Sequence, residues 1–75
     1  MTIIRQSEHV VTLVLRSSHG SAQARRSAAF RWFVRTLPPG TMLVAQGHMT
    51  NRPDVHWWDF QTPAPLLPEG VASAR

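Results

Sequence analysis

Residues 21–40 read Ser-Ala-Gln-Ala-Arg-Arg-Ser-Ala-Ala-Phe-Arg-Trp-Phe-Val-Arg-Thr-Leu-Pro-Pro-Gly, and the folding of this stretch decides the architecture of the chain. Alanine and arginine are strong helix formers. Ser21 stands where a helix N-cap belongs, after the loop-forming Ser17-Ser18-His19-Gly20. Ala22, Ala29, Phe30, Phe33, Val34 and Leu37 recur at the i, i+3, i+4, i+7 spacing of one buried face. The stretch therefore predicts a single amphipathic helix of about four turns, from Ser21 to Thr36. Pro38 cannot continue it, and Pro39-Gly40 suits the centre of a type II turn, so the chain reverses there.

An amphipathic helix of this kind needs a sheet to cover. His9–Leu15 is rich in β-branched residues, with Val11, Leu13 and Leu15 on one face and Val10, Thr12 and Val14 on the other, which predicts a central strand. Thr2–Arg5 is either the start of that strand or a short separate one, with Gln6-Ser7-Glu8 as the bend between. Thr41–Gln46 predicts a second strand, Gly47–Asp54 a long loop, and Val55–Phe60 a third strand. The expected fold is a small α+β domain over residues 1–62, of order β-α-β-β. One helix packs on a three-stranded antiparallel sheet, or a four-stranded one if Thr2–Arg5 stands alone. Prolines 63, 65 and 68 predict an extended tail over residues 63–75.

Composition narrows the function classes. A chain of 75 residues is one domain, and at this size only roughly 60% of the unfolded surface is buried, so the core is thin. Charged residues make up 16%, well under the usual share of about a quarter, which leaves many uncharged side chains at the surface. Every base is an arginine: Arg5, Arg16, Arg25, Arg26, Arg31, Arg35, Arg52 and Arg75, opposed by Glu8, Asp54, Asp59 and Glu69. The guanidinium fork binds carboxylate and phosphate bidentately and stacks on aromatic rings, so this surface suits acidic protein patches or nucleic-acid backbones. The net charge of +4 biases encounters toward anions. Codon usage alone would also favour arginine over lysine. Without cysteine there is no disulfide framework, thiolate zinc site or thiol nucleophile. No apolar run approaches the ~20 residues of a membrane helix, and the N-terminus lacks a signal-peptide pattern, so a cytoplasmic location is expected.

The outer helix face is the leading candidate site. A turn of about 100° per residue sets Ala24, Arg25, Ala28, Arg31, Trp32 and Arg35 opposite the apolar stripe, a tryptophan among arginines. Trp and Arg dominate binding energy at interfaces, so Arg25, Arg31, Trp32 and Arg35 are read as a partner-docking surface; the competing reading is a solvated face with Trp32 covered by the tail or by a second copy. Trp57 and Trp58 are adjacent on a strand and point to opposite faces. His56, Trp58 and Phe60 form the core-like set, which leaves Trp57 outward to grip a partner, stack on a base or be covered by Pro63 and Pro65.

His9, His19, His48 and His56 form no H-x-x-x-H pair, and His56 and Asp59 fall on opposite strand faces, which disfavours a shared metal ion. His48 and Arg52 in the expected loop are the one pair with acid–base potential, in the manner of a small ribonuclease toxin. No phosphate loop, nucleophile elbow, dinucleotide fingerprint or helix-turn-helix is present, and no cofactor is expected. The leading expectation is a non-enzymatic interaction protein that blocks or adapts an acidic protein or nucleoprotein complex. Phage-encoded inhibitors of bacterial defence (such as anti-CRISPR proteins) or of transcription complexes are analogues in size alone. The alternatives are a basic nucleic-acid-binding accessory protein and the ribonuclease-type toxin. A thin core also makes a homodimer one expected state.

Overall fold

The β-branched run at residues 10–15 forms the strand its composition predicts, and everything else is arranged around it. A computed structural model describes residues 1–63. The strands are β1 (Thr2–Arg5), β2 (Val10–Arg16), β3 (Met42–Met49) and β4 (Arg52–Gln61); the helices α1 (Ser21–Arg25) and α2 (Ala28–Thr36) lie between β2 and β3 in sequence. The four strands form one antiparallel sheet of order β1-β2-β4-β3. The fold is thus α+β, with Thr2–Arg5 as a separate fourth strand. Gln6 and Ser7 turn it into β2 by donating their backbone N–H groups to the Val10 carbonyl, at 2.9 and 3.2 Å.

The two central strands carry the core. Val11, Leu13 and Leu15 of β2 pair with Phe60, Trp58 and His56 of β4, all pointing toward the helices. Ala24, Phe30 and Phe33 close over them, with Ala29 and Leu37 at the margin. Phe30 meets Trp58 edge to face, ring centroids 4.9 Å apart, a geometry that adds about 0.5–1.5 kcal/mol to the area buried.

The helical stretch departs from expectation. It is not one four-turn helix but two helices broken at Arg26-Ser27. The Ser27 hydroxyl donates to the Ala24 carbonyl at 2.7 Å and accepts the Phe30 N–H at 3.2 Å, ending α1 and capping α2 in one side chain. The N-cap of α1 is Gly20 rather than Ser21. The break resets the helical phase: Ala24, expected outside, is 3% exposed, while Ala22 and Val34, expected in the apolar stripe, are exposed. Ser27→Ala is expected to cost about 1–2 kcal/mol, toward the upper end of the N-cap range because two bonds are lost, as read from the urea midpoint.

The other departures lie in β3 and β4. The long loop expected over Gly47–Asp54 is a tight turn at Thr50-Asn51, with both strands running on past it. His48 pairs with His56 and Met49 with Arg52, and a register shift falls between those pairs. Pro53 sits at that irregularity, where a missing N–H costs least. The reversal at Leu37-Pro38-Pro39-Gly40 is as expected: Gly40 takes φ 90°, and Thr41 donates its N–H to the Pro38 carbonyl at 3.3 Å. Of the expected tail, residues 64–75 lie outside the described residues.

Candidate functional site

The break at Ser27 builds the site. Because α1 stops at Arg25 and α2 restarts at an angle set by the cap, Arg25 is laid over the ring of Phe30, its Cζ 5.9 Å from the centroid. Such a contact favours the cation by about 0.5–1 kcal/mol at an exposed position. Arg31 and Arg35, one turn apart on α2, stand on the other side of Val34. The three arginines, with Phe30 and Val34 between them, line an open depression of about 510 Å³. It continues past Leu37, Pro38 and Leu43 into the groove between α2 and β3. All three arginines are exposed, and among the described residues none is joined to a carboxylate.

The acidic groups are placed elsewhere. Asp54 accepts the Arg16 Nε–H at 2.9 Å at the far end of β2. That hydrogen bond holds its carboxyl below the usual carboxylate range. The contact therefore favours the fold above the ordinary carboxylate pKa and is lost as pH falls through the lowered value. Asp59 is on the opposite sheet face, and Glu8 lies beside His9 in the turn between β1 and β2. Positive charge is thus concentrated on the helix layer, where among the described residues no carboxylate meets Arg25, Arg31 or Arg35.

The residues read from the sequence as one docking surface are divided by the structure. Arg25, Arg31 and Arg35 come together; Trp32 does not line their depression. It lies about 100° around the helix from Arg31, on the flank where Phe33 and Thr36 face β1, and is 50% exposed. Val34 was read as core, and its 40% exposure makes it the floor of the site instead. The serine at position 27 was the available signal for this, since serine inside a helical run often marks a cap.

Trp57 faces away from the helices, as its parity predicts, but Pro63 does not cover it. Pro63 packs beside Gly40, beyond the end of β4 and six positions along the chain from Trp57. Pro65 lies outside the described residues. The indole of Trp57 lies across Gly47 of the neighbouring β3, where an added Cβ would stand 2.9 Å from Cζ2. Trp57, Val14, Ile4 and Met49 form the apolar part of a second open depression of about 520 Å³. Across it Gln6 donates Nε2–H to Thr12 Oγ1 at 3.0 Å, and Thr12 donates to Asp59 Oδ1 at 2.5 Å.

The pair read as catalytic, His48 and Arg52, is not in a loop. His48 is on β3, edge to face with His56 at 6.3 Å, and the Nε2 of His56 is 3.3 Å from the Ser17 carbonyl oxygen. Among the described residues no three His, Asp or Glu side chains converge on a metal position, and no helix is long and apolar enough to cross a membrane. No protein-family model, curated protein or solved structure matches the chain.

Proposed function

We infer that this chain is a non-enzymatic interaction protein that docks its helix layer on an acidic segment of a protein or nucleoprotein partner, which it blocks or adapts. The observation that carries the reading is the ring of Arg25, Arg31 and Arg35 around an apolar floor of Phe30 and Val34, with no carboxylate in the ring among the described residues. Three guanidinium groups, one on α1 and two on α2, offer charge-assisted, bidentate bonds to carboxylates. The apolar floor favours a partner that places an aliphatic or aromatic side chain between its acidic groups, as an acidic peptide does. A bare phosphodiester backbone leaves Val34 without a partner.

The test is a titration of the full chain with a peptide of alternating glutamate and leucine and, separately, with a random single-stranded oligonucleotide, followed by tryptophan emission. Peptide binding that largely survives moderate salt is expected. It should weaken at least about tenfold in Arg31→Glu and further in Arg31→Glu/Arg35→Glu, since each lost charge-assisted bond removes about 1.5–3 kcal/mol. Preference for the oligonucleotide, with affinity falling linearly in log salt, would transfer the arginines to a nucleic-acid reading. No binding of either probe by a folded chain would refute an exposed anion-docking site.

A further inference from the structure

The helices cover one face of the sheet, and among the described residues nothing layers the other. On that face lie Ile4, Val14, Trp57 and Met49. Antiparallel sheets that face water on one side normally alternate to polar residues there; here the polar Thr2, Gln6, Thr12 and Asp59 share the face with this apolar group, which runs from β1 across the central Val14–Trp57 pair to β3. We propose that the open face is the interface of a symmetric homodimer, in which two copies pack sheet on sheet with their helix layers outward. The proposal uses the side of the molecule opposite the arginine ring and stands whether or not that ring binds an acidic partner.

Three features select a second copy as the occupant. The first is charge. A chain of net charge +4 repels itself, but Arg25, Arg31 and Arg35 sit on the helix layer, and of the others Arg16 is paired with Asp54 and Arg52 stands at the hairpin end of β4. Face-to-face packing sets the two helix layers roughly 30 Å apart, several times the screening length of about 8 Å at physiological salt. Any packing through the helix side brings them together.

The second is polar satisfaction. On the open face Thr12 both accepts from Gln6 and donates to Asp59, so its hydroxyl needs no water when the face is covered, and the second Asp59 oxygen takes a donor from the partner copy or keeps its water. The third is area. Four strands about 4.8 Å apart, averaging about seven residues at 3.3 Å, give a face of roughly 450 Å² in plan. With side-chain relief, two copies together remove roughly 1,000 Å² from water, which is where specific interfaces begin. Val14 and Trp57 are cross-strand partners on the two central strands. A twofold axis through that pair sets indole against valine in both directions, which is the self-complementarity an isologous contact requires.

The test is sedimentation of the full chain across concentration, with methyl shifts of Ile4 and Val14 followed over the same range. A reversible dimer is expected, with both methyls shifting as it forms. Val14→Glu, and Ile4→Glu at the less demanding edge strand, should raise the dissociation constant at least about a hundredfold while circular dichroism stays native. Arg31→Glu should leave it unchanged. A chain that remains a monomer to about 1 mM overturns the proposal, because the face is then worth less than about 4 kcal/mol to a second copy. A dimer with unmoved Ile4 and Val14 methyls, or open-ended assembly through the strand edges, overturns it equally.

Discussion

Trp58→Ala is expected to remove about 3–5 kcal/mol of stability, read as the shift of the urea midpoint at constant slope. Trp58 is fully buried at the centre of β4, beside Leu13 across the strand pair and under Phe30 from α2, so its removal leaves a cavity that three elements share. A chain of 75 residues is worth roughly 4–11 kcal/mol in total, and the single change therefore takes a large part of it. Trp58→Phe separates the packing from the polar contribution. The indole N–H is buried with no hydrogen-bond acceptor among the described residues, so phenylalanine gives up ring area but also relieves an unmet donor. Its cost is expected to be less than half that of alanine.

Gly47→Val is expected to cost about 1–3 kcal/mol and to shift Trp57 emission to the red. A Cβ at position 47 stands 2.9 Å from Cζ2 of that indole, closer than real side chains approach, and a tight 3.2 Å from Cε2. β3 cannot yield without breaking its ladder to β4, whereas the ring is only half-buried and can swing outward. The ring then loses its cover on one side, and roughly 100 Å² returned to water corresponds to about 2.5 kcal/mol. Valine's preference for strands recovers part of this. If emission and midpoint both stayed at the native values, the indole would not be seated on β3.

The same glycine explains why the sequence misled at the second hairpin. Gly47, Asn51 and Pro53 are turn formers, and read together they make an eight-residue loop. Only Asn51 is in the turn. Gly47 is needed because an aromatic ring from the next strand lies on it, and Pro53 is tolerated because the ladder is irregular there. These reasons are tertiary and invisible to local pattern. The strand parities were legible because a period of two leaves no alternative once Phe60 is inside: Trp58 in, Trp57 out.

The helix region was legible in its apolar content and not in its continuity. A serine inside a helical run is a cap signal, but the good helix formers on both sides outweigh it, and the hydrogen bonds of Ser27 to Ala24 and Phe30 are what establish the joint. That joint moved Ala24 in and Val34 out and laid Arg25 over Phe30, whereas Trp32 parts from Arg31 by its angle around α2. The candidate site was therefore legible as a set of charges and not as a shape. Its floor depends on a phase reset that no periodicity within the stretch displays.

The order β1-β2-β4-β3 also sets a sequence of events in time. Each outer strand reaches its neighbour through a short turn, so the two hairpins are local and quick to close, on the order of microseconds. The seam between them is not. Arg16 pairs with Val55 and Val10 with Gln61, so the first bond across the seam must close a loop of nearly forty residues that contains both helices. That closure costs about 3 kcal/mol of chain entropy before any core contact repays it. Until β2 and β4 meet, Leu13 and Trp58 have nothing to bury against, and the helices have no surface on which to settle. The middle of the sheet, not its ends, is where this chain commits to its fold.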